Sequence, residues 1–343
     1  MTGDSLLRPL AAAYGAGVAA RLALFRAGIF RVHRAHRPVV SIGNVAAGGA
    51  GKTPFVRWLA GELLARGLKP GILTRGYGRQ GRGLVIVSDG EGHLAPVAAS
   101  GDEPALLARA LPSVPIVADA SRRNAARRLL EIAPDTSVLL LDDGFSHVGL
   151  ARDADVVLLD ATAPDAGGAL LPAGRLREPL EALARADLIV VTKSEQAEPA
   201  AAAALAARHA PGVPVFRAVT EVTGVFDGQG RVVRPEHLPG PTVVAVAGLA
   251  RPGAFAATLV SLRIEPAAFL SFRDHVRYGA AEIGRIARAA AETGATAVLA
   301  TEKDAVKLES CCPLPLFRVE VRMRVVEPDF LHALLARVAR QPS

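Results

Sequence analysis

"SIGNVAAGGAGKTPFVRWLA", Ser41 to Ala60, leaves an apolar run, crosses a glycine-rich turn and enters a helix-like stretch. That order of strand, loop and helix is the setting in which a phosphate-gripping loop is credible. The strict pattern is G-x-x-x-x-G-K-[ST], and Ala46 stands where its first glycine belongs. Gly48, Gly49 and Gly51, interleaved with Ala47 and Ala50, can still turn backbone N–H groups toward phosphate oxygens. The start of the helix adds partial positive charge. Lys52 has the reach for β- and γ-phosphates, and Thr53 offers a hydroxyl to Mg²⁺. The competing reading is a tight glycine turn that holds no ligand.

Working outward, apolar runs alternate with helix-like segments as a mostly parallel sheet requires. Strands are expected near 39–42, 71–73, 84–87, 116–118, 138–141, 156–160, 188–192 and 215–218, with helices over 55–66, 103–110, 122–132 and 199–209. From 216 to 241 the chain turns polar and rich in Pro and Gly around Asp227-Gly228, as a hairpin linker would. A second α/β set follows, with strands near 243–247, 268–272, 297–300 and 316–321 and helices over 252–262, 280–293 and 329–339. The expected organisation is therefore an N-terminal helix (1–37), a phosphate-loop core domain (38–215), a β-hairpin linker (216–241) and a smaller C-terminal α/β domain (242–343). A chain of 343 residues suits two domains better than one core.

Half the residues are hydrophobic and mean hydropathy is +0.29, yet no run approaches the about 20 uninterrupted apolar residues of a spanning helix. In Leu10 to Phe30, Arg21 and Arg26 interrupt, and Arg31, Arg34 and Arg37 follow. That pattern suits a helix lying in a membrane interface, or an Ala-rich helix packed on the core. A net charge of +7 fits anionic partners. Lysine is confined to positions 52, 69, 193, 303 and 307, so each is less suited to be surface filler. Aromatic residues are 4%, with no RNA-type aromatic motif or zinc-finger spacing, which argues against nucleic acid as partner. Cys311 and Cys312 are adjacent and suit neither an ordinary disulfide nor a zinc site, so a reducing setting is the default.

Several further stretches carry chemistry. "SVLLLDDGFSH" is an apolar strand ending in Asp142 and Asp143, a form able to hold Mg²⁺ beside a phosphate loop. "SGDEPALLARA" opens a helix with Asp102 and Glu103; these are first-turn acids, or else a general base and a second metal contact. "SFRDHVRYG" gathers Arg273, Asp274, His275 and Arg277 in one loop, either as a cap and a surface histidine or, if the second domain closes on the first, as the source of a base dyad. "LLPAGRLREPL" presents Arg175 and Arg177 from a punctuated loop, and "TRGYGR" presents Arg75 and Arg79. "TEKDAVKL" reads as a helix start. "VTKSE" shares only its lysine with the guanine-reading N-K-x-D, since Thr192 and Glu195 replace Asn and Asp.

"GGAGKT" is close to the G-G-x-G-K-T loop of partition and metallochaperone ATPases, but their signature lysine is Ala47 here. Taken in order, "GNVAAGGAGKTP", "TRGYGR", "GDEP", "DDGFSH", "LLPAGRLREP", "FRDH" and "TEKDAVK" resemble the tetraacyldisaccharide 4'-kinase family, over most of the chain. The ordered set is specific where single members are not. The family's own loop lacks the first glycine, which accounts for Ala46. The resemblance implies a P-loop NTPase-like core joined by a β-ribbon to a smaller α/β domain. It also implies an ATP- and Mg²⁺-dependent kinase for the 4'-hydroxyl of an acylated disaccharide 1-phosphate. Such a kinase would act peripherally at the cytoplasmic face of the bacterial inner membrane, through its N-terminal helix, with no obligate protein partner evident. By the same resemblance Asp102 and His275 form the base dyad. Lys52 and Thr53 serve phosphate and metal, Asp142 and Asp143 are the Walker B pair with Glu103 as a further metal candidate, and Arg177 steadies phosphate. Ser146 and Val276 depart from the family's usual Gln and second His, so neither is expected to be required.

Overall fold

The computed structural model describes residues 4–238, 243–249, 252–274 and 276–339. The elements run α1 (Asp4–Arg26), β1 (Val39–Gly43), α2 (Lys52–Ala65), β2 (Pro70–Thr74), β3 (Val85–Ser88), α3 (Val97–Ser100), α4 (Asp102–Ala110), β4 (Ile116–Ala118), α5 (Arg122–Ile132), β5 (Val138–Asp142), β6 (Ala154–Asp160), β7 (Leu188–Thr192), α6 (Ala200–His209) and β8 (Val215–Phe226). Then follow β9 (Val232–Val233), β10 (Val243–Ala247), α7 (Pro252–Ser261), β11 (Ala268–Ser271), α8 (Ala280–Thr293), β12 (Ala297–Thr301), α9 (Glu302–Leu308), β13 (Leu316–Val325) and α10 (Phe330–Val338).

Every residue of β1, β2, β5 and β7 is buried, which is why these strands read as continuous apolar runs: helices cover both faces of a parallel sheet. Among the described residues the strand order is β11-β10-β12-β13-β8-β7-β6-β1-β5-β2-β4-β3, with β9 paired to β8. From β8 to β4 neighbours are parallel, so β1, β5, β2, β6 and β7 end at one edge. Loops at that carboxyl edge are where an α/β sheet binds ligands. The architecture is thus a P-loop NTPase-like, mostly parallel sheet continued by a smaller α/β set.

β8 is longer than the expected 215–218. Its polar second half, including Thr220, Glu221 and Thr223, pairs antiparallel with β13 along a two-stranded ribbon. At its end Asp227 accepts the backbone N–H groups of Gln229 and Arg231, each at 2.9 Å, and turns the chain into β9. β13 returns along the ribbon, and α10 then docks on α2: Phe330 meets Phe55 and Phe216 edge-on at 5.8 and 5.2 Å. Met323, Val325, Phe330, Leu331 and Leu334 are therefore buried in the core of the phosphate-loop layer, not in that of the second set.

α1 is well formed, and among the described residues no helix is long and apolar enough to cross a membrane. It lies against the functional edge. Tyr14 donates to the Arg177 carbonyl at 3.1 Å, and Arg21 donates to the Ser146 carbonyl. Leu10, Ile29 and Val32 stay exposed.

Candidate active site

β1 delivers Asn44 and the loop 45–51 to the carboxyl edge, and α2 begins at Lys52, three residues earlier than Phe55. Pro54 is tolerated there because first-turn N–H groups have no helical partner. Gly51 precedes the helix at φ 79, the left-handed region where a side chain would strain the backbone. The loop is laced to 175–178: Ala47 N–H donates to the Arg175 carbonyl at 2.6 Å, and Arg177 N–H to that of Val45 at 2.7 Å. The Arg175 guanidinium returns a bond to the Ala47 carbonyl at 3.0 Å. Arg175 thus supports the loop, while Arg177 points elsewhere.

Arg177 Nη1 lies 2.7 Å from Asp143 Oδ2, and Lys52 Nζ lies 3.5 Å from Asp143 Oδ1 and 3.1 Å from Asn44 Oδ1. Asp143 adopts φ 53, a conformation rarely taken by a residue with a side chain. Burial works upward on its carboxyl, but Lys52 and Arg177 outweigh it and hold Asp143 below the usual carboxylate range. Asp142 behaves oppositely. It is buried at the end of β5, accepts from the Thr74 hydroxyl at 3.2 Å, and is pushed up to about 7 by burial, then by the charges of Glu103 and Asp143. Two adjacent carboxylates therefore differ in protonation because one faces two cations and its neighbour faces acids.

Among the described residues no group of three or more His, Cys, Asp or Glu could hold a metal alone. The donor set suits Mg²⁺ of another kind, bound by one or two protein oxygens with water and phosphate supplying the rest. Thr53 and Asp142 fit that role. The excess negative charge that Glu103 and Asp143 place on Asp142 is what a divalent cation would relieve.

Asp102 opens α4 across from this cluster, with Lys307 Nζ 3.5 Å from its Oδ2. His275, the expected partner, lies outside the described residues. Its neighbours are held by α9: Lys303 pairs with Asp274 at 2.8 Å, and Lys307 donates to the Val276 carbonyl at 3.1 Å. Arg57 of α2 reaches Glu302 at 2.7 Å, and Arg109 of α4 reaches Glu309 at 2.9 Å, so α9 seats the second set on the first.

Asn44, Thr74, Arg122 and Lys307 were not singled out as site residues by sequence reasoning. Arg122 is buried, bonds the Asp119 carbonyl at 2.6 Å, and is lowered to about 10 by burial. Only the scarcity of lysine hinted at Lys307. Arg79, by contrast, is structural, bonding the carbonyls of Ala118 and Gly83. Lys193 is spent on Asp160 at 2.5 Å. His147 is driven down to about 4 by burial and by Arg122, Arg21, Arg152 and Arg75 around it.

A model of the family described as Tetraacyldisaccharide-1-P 4'-kinase matches residues 4–339. A tetraacyldisaccharide 4'-kinase of Anaeromyxobacter dehalogenans (strain 2CP-C) is 44% identical over 321 residues, 93% of this chain and 84% of its own length. One from Geobacter metallireducens is 42% identical over 306 residues, covering 89% and 88%. Among solved structures, "apo" form LpxK from Aquifex aeolicus in complex with ATP superposes with a TM-score of 0.81 at 31% identity, covering 98% of this chain and 99% of that one.

Proposed function

The chain belongs to the tetraacyldisaccharide-1-P 4'-kinase family, and from that premise we propose which of its residues carry the reaction. The activity is that of an ATP-dependent kinase: the γ-phosphoryl group passes to the 4'-hydroxyl of tetraacyldisaccharide 1-phosphate, giving lipid IVA in lipid A biosynthesis. Residues 38–215 are read as the nucleotide-binding domain, 216–241 as the hairpin linker and 242–343 as the smaller domain, whose α10 reaches back to brace α2.

The 46–53 loop, with backbone N–H groups and the start of α2, grips the triphosphate. Lys52 and Arg177 both touch Asp143, and both exchange that carboxylate for phosphate oxygens as the transferred group gains charge. Mg²⁺ would be held by Thr53 and Asp142, with Glu103 and Asp143 biasing the site, and would supply neutralisation of phosphate charge there. Asp102 takes the proton from the sugar hydroxyl, with His275 as its partner. Transfer of this kind needs positioning and charge neutralisation more than covalent help.

The exposed apolar side chains of α1 and the segment after it, with Arg8, Arg26 and Arg31 among them, support a peripheral seat on the cytoplasmic face of the inner membrane. Arg21, Arg75, Arg122 and Arg152 around His147 make a field suited to an anionic lipid headgroup.

The observation that carries the residue assignment is the shared grip of Lys52 and Arg177 on Asp143, with Asp102 at the facing helix start. The test compares Asp102→Ala with Lys52→Ala for lipid phosphorylation and nucleotide binding. Asp102→Ala is expected to lose turnover on the order of 10² to 10⁴-fold while keeping ATP affinity, and Lys52→Ala to lose both. Near-normal lipid turnover in Asp102→Ala would remove it as the base.

A further inference from the structure

Lys307 is nearly buried, its side chain only 8% exposed, and a buried ammonium is costly unless each N–H finds an acceptor. It forms an ion pair with Asp304 Oδ1 at 3.2 Å, donates a hydrogen bond to the Val276 carbonyl at 3.1 Å and forms a second ion pair with Asp102 Oδ2 at 3.5 Å. Its face rests near the Tyr278 ring, 5.3 Å from the centroid.

The first partner is an anchor. Asp304 is wholly buried and takes the Gly248 N–H at 2.7 Å, the Thr301 hydroxyl at 2.7 Å and the Tyr278 hydroxyl at 2.9 Å. These donors come from the residue after β10, the end of β12 and the loop before α8, so Asp304 ties three parts of the smaller layer to α9. Burial and the Asp304 charge push the Tyr278 hydroxyl well above its ordinary range, so it stays a donor. The second partner belongs to the loop 273–279. Lys303, one helical turn before Lys307, holds the other flank of position 275 through Asp274. The third lies in the other layer, at the first residue of α4.

Resting on the kinase reading above, we propose that Lys307 is a positioning residue: it holds Asp102 and the Val276 backbone in one geometry, and so sets the approach of the base to the sugar hydroxyl. It touches neither nucleotide nor phosphate; its action passes through Asp102. An ammonium is suited to this because a compact charge can sit among three oxygens from different elements, which a planar guanidinium matches poorly.

The test is a double-mutant cycle on lipid phosphorylation, with KM for ATP measured in each variant. Lys307→Met is expected to lower kcat about 10²-fold, the cost of a misplaced reacting group, with KM for ATP within about twofold. Lys307→Arg restores part of the loss. Asp102→Ala/Lys307→Met is no slower than Asp102→Ala alone, because residues acting as one unit are not additive. A kcat for Lys307→Met within twofold of wild type overturns the proposal, as does a full additive loss in the double variant. If melting shows that Lys307→Met does not fold, Lys307→Gln and Asp102→Ala/Lys307→Gln carry the same comparison with the same two readings. Wild-type protein that fails to phosphorylate the lipid would instead overturn the kinase reading, which separates the two failures.

Discussion

Asp142→Asn is expected to lower turnover strongly and yet stabilise the protein. Burial beside Glu103 and Asp143 raises the Asp142 carboxyl from an ordinary 3.8 to about 7. The folded state therefore holds this proton more tightly than the unfolded chain. Its contribution favours folding fully below about pH 3.8 and is lost as pH rises to about 7. At 1.36 kcal/mol per pH unit, burying the carboxylate costs at most about 4 kcal/mol above pH 7. Asparagine keeps an acceptor for the Thr74 hydroxyl and carries no charge at any pH. In metal-free buffer with chelator, urea unfolding should show little difference between variant and wild type near pH 4, and a variant more stable by up to about 4 kcal/mol at pH 8. Added Mg²⁺ with nucleotide should narrow the gap by stabilising wild type more. Turnover should fall at least about 10²-fold. A variant no more stable than wild type at pH 8, or one stabilised equally at both pH values, would show that Asp142 does not carry a raised carboxyl in the folded protein.

Arg177→Ala should lower turnover on the order of 10³-fold, and Arg177→Lys should recover little of it, because a planar fork grips phosphate oxygens in a way a single ammonium does not; steady-state kinetics decide. Phe330→Ala removes a fully buried ring that meets Phe55, Trp58 and Phe216, and should cost about 3–5 kcal/mol by denaturant unfolding. An effect below about 1 kcal/mol would mean that α10 does not brace α2 in solution.

Much of this fold is legible because the strands of a parallel sheet covered on both faces are apolar along their length, as at 138–141 and 188–191. Motif order then places Lys52, Asp142, Asp143 and Arg177 together, since each follows a strand or its loop at one edge. β8 beyond Ala218 was not legible: its outer half packs against no core, and Thr220, Glu221 and Thr223 are held by pairing with β13, a long-range contact without local pattern. The return of α10 to the first layer likewise depends on where β13 ends in space. Lys307 was missed for the same reason. Its helix carries ordinary first-turn acids, and only the approach of α9 to α4 reveals that its ammonium pairs with Asp102. Asn44 and Arg122 act beside strand ends whose neighbours are fixed by strand order, which spacing along the chain does not give.

Phosphoryl transfer itself can be measured. Purified protein is incubated with ATP labelled at the γ-phosphate, Mg²⁺ and tetraacyldisaccharide 1-phosphate, and the position of any new phosphate on the lipid is determined. Label on the 4'-oxygen, absent with Lys52→Ala, is the predicted result. Label released only as inorganic phosphate, with the lipid unchanged, would contradict it.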